Sequence, residues 1–298
     1  MNTGSRERVL RASLGLSLVI ALGCDITPYP TTPSSTTPTS TPAPGPTPPR
    51  SAQELAALAL FDAAAVHEAA TTAAITWATE GGKVSTDGPC PGGIGSLQAS
   101  LDGGSSPAQG TFLPTGSHTY VVSFSNCLMH HLAGWELHGV ASAAYNAAEW
   151  SNVTATVSAD AVRVQTMNFL SDLYDVTAGG SAVWTRMGTS TTTTTYTPAS
   201  GSRLVNNRTT GVATFGGGSY SMIRYPGNRW DRRFDNLKVA VNGTEYTLNG
   251  NHEETGGGPG VSHTGEVRII NDGTLVARIY GDGGSRVRVE VLVPLIPL

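Results

Sequence analysis

Apolar positions follow three different rhythms along the chain. From Leu14 to Leu22 they are nearly continuous. From Ser51 to Trp77 they recur at steps of three and four, through Leu55, Leu58, Phe61, Ala65, Ala69, Ala73 and Trp77. That spacing puts one apolar stripe on a helix. Ser51-Ala52-Gln53-Glu54 reads as a capping box, with a hydroxyl for an orphan N–H and a carboxylate reaching back. Gly81-Gly82 ends the run. A helix over residues 51–80 is expected to lie against the rest of the head and cover an open face or an end.

Beyond Gly82 the rhythm changes to alternation. The end of the chain is clearest: Gly265 to Ile270, the turn Asn271-Asp272-Gly273, Thr274 to Tyr280, the turn Gly281 to Gly284, then Ser285 to Val293. Such turns need positive φ and join strands into hairpins. Val287, Val289, Val291 and Val293 share one face, while Arg286, Arg288 and Glu290 share the other. Similar runs, among them Val153–Ser158, Ala161–Phe169, Leu237–Val241 and Tyr246–Asn251, raise the count to about a dozen or more strands. The predicted fold is mainly β: an antiparallel meander curled into a barrel-like or sandwich shape, with one N-terminal amphipathic helix.

The first apolar run has a different meaning. Arg6, Arg8 and Arg11 precede it and Gly23-Cys24 follow it. A basic region, a short apolar core and a small residue before a cut form a secretory signal. The run is too short to span a bilayer, which takes about 20 apolar residues. Ala21-Leu22-Gly23-Cys24 resembles a bacterial lipobox. The resemblance implies diacylglycerol on the Cys24 sulfur, cleavage before Cys24, and acylation of the new N-terminus by a fatty acid such as palmitate. It places the chain outside the cytoplasm, lipid-anchored in a bacterial cell envelope and facing periplasm or exterior.

Residues 26–50 carry nine of the 18 prolines among Thr, Ser and Ala. Proline removes donors and fixes φ, so helix and sheet are both disfavoured. The segment is expected to be a disordered, semi-stiff tether reaching roughly 75 to 80 Å when extended. The expected organisation is therefore a signal peptide at 1–23, a lipidated tether at 24–50, the helix at 51–80 and a β domain at 81–298. Exported cysteines pair, so Cys90 and Cys127 are read as a disulfide; two thiolate metal ligands are the alternative.

A faint echo runs through the β region. Phe124-Ser125-Asn126-Cys127 is followed by Leu137-His138-Gly139, and Phe234-Asp235-Asn236-Leu237 by Leu248-Asn249-Gly250. A weaker copy starts at Asn168-Phe169-Leu170. Each unit reads as strand, turn, strand. With Cys90-Pro91-Gly92-Gly93, this resembles a group of poorly characterised bacterial envelope lipoproteins built from repeated β-hairpins. The likeness implies architecture and imports no activity.

The net charge is −4, with only 13% charged residues, which gives no electrostatic reason to expect nucleic acid. GxSxG, HExxH, Walker and CxxC motifs are all absent from the sequence. No catalytic residue, cofactor or metal is assigned. His130, His131, Glu136 and His138 are better read as loop and surface residues than as ligands, and His252-Glu253-Glu254 has the same standing. Asp172 and Asp175 show nothing that would select them as catalytic carboxylates. Thr191 to Thr195 is an exposed, β-prone polar run without catalytic meaning.

Rings and guanidinium groups interleave from Tyr220 to Phe234: Tyr220, Arg224, Tyr225, Arg229, Trp230, Arg232 and Arg233, around Pro226-Gly227. These seven are the candidate ligand-binding residues, able to grip a sugar, a stem carboxylate or an anionic lipid head. The plainer reading is a hairpin whose rings cap the core and whose arginines are solvated or paired by Asp231 and Asp235. The functional expectation is an envelope protein with a structural or binding role, held to a membrane by lipid and meeting a cell-wall polymer, a lipid or another envelope protein. A carrier of an apolar ligand in a curled-sheet cavity and a cell-wall or glycan hydrolase are the alternatives.

Overall fold

The helix begins where the capping box predicts. Glu54 N donates to Ser51 Oγ at 3.2 Å, and Ser51 N donates to Glu54 Oε2 at 2.6 Å. In this computed structural model the described residues are 50–80, 88–90, 94–104, 114–129, 135–166, 175–188, 191–227, 229–256 and 261–298. All fall in the compact unit Pro49–Leu298.

Helix α1 spans Ala52–Glu80. Its predicted stripe is buried from Leu58 to Ala73, but so are its other sides. Ala57, Leu60, Ala64, Ala70, Ala74 and Ile75 are as inaccessible as Leu58, Phe61 and Ala73. A helix covered all round belongs to a core rather than to a surface. By length and composition Ala52–Thr76 would suffice to cross a membrane, yet 89% of its most apolar window is buried in the fold. Alanine makes this possible, because a slim helix lets strands approach from every direction.

Those strands form one 15-stranded antiparallel sheet. The first six are β1 (Gly88–Pro89), β2 (Ser96–Leu101), β3 (Gly116–Met129), β4 (Trp135–Glu149), β5 (Asn152–Thr166) and β6 (Asp175–Met187). Then come β7 (Thr192–Pro198), β8 (Arg203–Asn206), β9 (Val212–Gly216), β10 (Ser219–Tyr225) and β11 (Arg229–Val241). The last four are β12 (Thr244–Thr255), β13 (Ser262–Asn271), β14 (Thr274–Asp282) and β15 (Arg288–Val291). The predicted curled meander is present. Pairing runs from β1 to β7, passes to β10 and continues to β15, while the β8–β9 hairpin bridges β6 to β11. The sheet thus forks between β6 and β11. It curls round α1, which touches β3 to β6 on one side and β14 and β15 on the other. Among the described residues no ladder joins β1 to β15, so the ring is not closed by hydrogen bonds.

Bulges produce the curl. The echo predicted from sequence is real, and its units do run strand, turn, strand, along the pairs β3–β4 and β11–β12; Gly139 and Gly250 do not close the second strand, and the Asn steps are bulges. Phe124/Cys127 and Phe234/Leu237 are register shifts inside long strands. Asn126 and Asn236 each adopt φ 49°, and the glycines opposite, Gly139 and Gly250, adopt φ 96° and 121°. The extra residue keeps Phe and the residue three later on the same inward face, and bulges increase local twist. A third bulge lies at Ala159/Val162, with Ala161 at φ 48° facing Gly180 at φ 111°. The expected break between Val153–Ser158 and Ala161–Phe169 is this bulge, inside a continuous β5. The copy expected at Asn168 lies outside the described residues.

Glycine is required at these bends by space as well as by φ: a Cβ on Gly250 would sit 2.2 Å from the Glu266 carbonyl oxygen. Cys90 and Cys127 are bonded, with Cα atoms 5.4 Å apart, which ties the start of the sheet to the first bulge. At the other end Asp272 (φ 46°) and Gly273 (φ 73°) make the predicted hairpin turn between β13 and β14. Strand β15 is shorter than the expected Ser285–Val293. The chain then turns back: Leu295 N donates to Gln53 Oε1 at 2.6 Å, and Arg50 donates to the Val287 carbonyl at 3.0 Å, closing the end of the curl over the helix start.

Candidate functional site

The seven predicted ligand-binding residues do not converge. In the β10–β11 hairpin Tyr220 pairs with Phe234, Arg224 with Trp230 and Tyr225 with Arg229. Period-two alternation therefore sends Tyr220, Arg224, Trp230 and Arg232 to the face that meets α1, and Tyr225, Arg229 and Arg233 to the opposite face. On the outer side Arg229 lies 4.4 Å over the Tyr225 ring and pairs with Glu253 at 2.8 Å, while Arg233 pairs with Asp231 at 2.8 Å. Asp235 instead accepts from Asn236 at 2.9 Å.

The inner four join a buried polar layer. Arg232 is only 6% exposed, approaches Asp62 at 3.8 Å and sits 5.4 Å over the Phe61 ring. Arg224 lies 4.8 Å over Trp230. Facing them, α1 presents Asp62, His67 and Glu68. Burial pushes the Asp62 carboxyl up to about 7, against the pull of Arg232 and Arg50. It pushes Glu68 up to about 7 as well, against Arg224 and a hydrogen bond from Thr72.

His67 is lowered to about 4 by burial. Its Nε2–H donates to the Gly179 carbonyl at 3.1 Å, which leaves Nδ1 to accept from the Tyr196 hydroxyl. His252 and His263 stack at 5.2 Å, and burial, then Arg232, lower His252 to about 3. Asp62 and His67 tie the helix to the sheet through Arg232, Gly179 and Tyr196.

Sequence reasoning missed Asp62, His67, Glu68 and His263. The signal was available, since Asp62, His67 and Glu68 are the titratable residues within the Ala- and Leu-rich middle of the helix, from Leu55 to Ala70. Of the histidine candidates, His138 is half-buried on β4, and His130 and His131 lie outside the described residues, as does Asp172. Asp175 is engaged by Arg163 and Asn207. Among the described residues no three metal-ligating side chains cluster.

Two spaces remain. One is a void between α1 and the sheet, lined by Ala59, Asp62, Ala63, Val66, Val176, Leu204 and Leu298, with about 10 Å³ of room for a water centre. That is at the lower limit for one water molecule. The other is an open groove of about 490 Å³ on the outer face of β3 to β5, lined among others by Asp102, His118, Asn146, Thr154 and Thr156. At its rim Asp102 Oδ2 accepts from His118 Nδ1–H at 2.8 Å, and His118 Nε2 is 3.2 Å from the Thr115 carbonyl. The hydrogen bond to Asp102 raises the His118 pKa. In its protonated form the ring gives one N–H to each of these acceptors.

No family model, no curated protein and no solved structure matches the chain. What the geometry defines is a class of body: an antiparallel β shell wrapped round its own helix, with its open surface on the convex side.

Proposed function

We propose that the chain is a lipid-anchored protein of a bacterial cell envelope whose β head has a structural or binding role. The observation that carries the reading is that, among the described residues, a buried helix fills the interior. The concave side of the curled sheet is occupied by α1, so contact with a partner falls to the convex face and the hairpin ends. A carrier of an apolar ligand needs a cavity of several hundred Å³, and the void beside the helix is far smaller. A glycoside hydrolase uses two carboxylates facing one bond; the lining of the outer groove includes one, Asp102.

The anchor rests on Arg6, Arg8 and Arg11, the run Leu14–Leu22, Cys24 and the proline-rich stretch behind it. Intact mass of the mature chain from a bacterial host tests it. The expected N-terminus is Cys24 carrying a diacylglyceryl thioether and an amide-linked acyl chain. Cys24→Ala should move the protein from the membrane fraction to the soluble fraction or leave the leader uncleaved. An unmodified Cys24 thiol on a correctly exported chain refutes the proposal.

A further inference from the structure

The threonine run that lacked a meaning in the sequence acquires one from the strand register. Alternation on β7 sends Thr192 and Thr194 inward and Thr193, Thr195 and Thr197 outward. Thr194 is buried and donates to the Met222 carbonyl at 3.2 Å. The outward residues align with their neighbours across the sheet. Ser117 pairs with Asn146, Asn146 with Thr154, Thr154 with Thr185, Thr185 with Thr195 and Thr195 with Ser221. This is an unbroken row of hydroxyl and amide side chains across six strands. At a strand spacing of about 4.8 Å the row is roughly 24 Å long.

A second row lies beside it: Thr119, Ala144, Thr156, Val183 and Thr197. Neither row contains a formal charge, and most of these side chains are exposed. The groove at Asp102 and His118 opens on one end of both rows, since Ser117, Thr119, Ala144, Asn146, Thr154 and Thr156 all line it.

We infer that this face is a binding track for a neutral polysaccharide chain, laid across the strands with one end seated in the groove. Four observations select that chemistry. The track offers donors and acceptors at short, regular intervals, which suits a ligand covered in hydroxyl groups. Ala144, Val183 and the threonine methyls give it apolar patches for the C–H faces of sugar rings. The absence of charge along the rows offers nothing to an anionic polymer or lipid head. At the groove rim both Asp102 oxygens already accept one hydrogen bond, from His118 and from Thr119 N, and each retains a lone pair for a sugar hydroxyl. The inference rests on the head being a binding module and is independent of how the chain is anchored.

The test uses the full mature chain in detergent, retained on insoluble chitin and cellulose and competed with soluble chitohexaose and cellohexaose, with polygalacturonate as the anionic comparison. Retention on at least one neutral polymer, released by its own hexaose and absent on polygalacturonate, is the expected result. The double variant Thr154→Val, Thr185→Val removes two hydroxyls from the row and keeps the β-branched shape. It should lose at least about tenfold in affinity with an unchanged circular dichroism spectrum and Tm. Arg229→Gln, on the far hairpin, should bind as the parent does. No retention on either neutral polymer overturns the inference, and so does undiminished retention of the folded double variant. Because binding is read without a membrane, failure here leaves the lipid-anchor result untouched, and the reverse also holds.

Discussion

His67 offers the sharpest test of the buried polar layer. Its ring is fully inaccessible, lies 4.5 Å from the Phe215 ring and makes directed bonds at both nitrogens. Burial holds it neutral down to about pH 4, whereas an unfolded histidine takes up its proton near 6.5. Between those values the unfolded chain binds a proton that the folded chain refuses, so folded stability falls as pH falls. Each pH unit is worth about 1.4 kcal/mol, hence roughly 3 kcal/mol over the window.

His67→Gln removes the titration while keeping a donor for Gly179 and an acceptor for Tyr196. Near pH 7 the variant should be less stable by about 1 to 3 kcal/mol, from lost ring packing. Near pH 4.5 that deficit should shrink by about 3 kcal/mol and vanish or reverse. The difference must be read, not the parent curve alone. Asp62 and Glu68, raised to about 7 in the fold, act in the opposite sense. Their contributions are present at low pH and lost as pH rises toward 7, which flattens the parent profile. Urea unfolding of both chains, disulfide intact, at the two pH values supplies the four free energies. A difference that does not move with pH refutes the assignment of a neutral, enclosed His67.

Three further outcomes probe the shell. Gly250→Ala forces a side chain onto φ 121° and into the Glu266 carbonyl, and should cost more than about 3 kcal/mol. Gly243→Ala, at φ 89° in open space, should cost only about 1 to 2 kcal/mol by the same denaturation assay. Replacing Cys90 and Cys127 with serine frees a loop whose ends are 37 residues apart, and should lower the unfolding free energy by roughly 4 kcal/mol in the chain-entropy account.

How much of this could be read from sequence depended on whether the signal was local. The capping box at Ser51 and the Asn271-Asp272-Gly273 turn are complete within a few residues, and both stand as read. The Asn–Gly repeat was seen, but not that its Asn steps are bulges. Asn at positive φ followed at a distance by Gly serves a turn and a bulge equally well, and only the continuation of pairing past Asn126 and Asn236 separates them.

The helix stripe was counted correctly, yet alanine is silent about direction. Its burial on the remaining sides is decided by strands far away in sequence. The hairpin from Tyr220 to Phe234 carried its own answer in part. Pro226-Gly227 fixes the parity that divides Arg224, Trp230 and Arg232 from Tyr225, Arg229 and Arg233. Which parity faces inward depends on Phe61, about 160 residues earlier.

The placement of α1 also explains why polar chemistry appears on both sides of so lightly charged a sheet. A shell that encloses a helix must register it in rotation and depth, and apolar contact with alanine is too smooth to do so. Asp62 against Arg232 and His67 between Gly179 and Tyr196 supply direction, because a buried polar group is tolerated only where its partner sits. Asp62, Arg232 and His67 are thus engaged in holding the helix. The convex face has no such task. Thr185 and Thr195 are half-buried on strands already paired on both sides, and their hydroxyls are not needed to close a ladder. A row of such groups in register across six strands has its natural counterpart in a ligand that repeats along its own length.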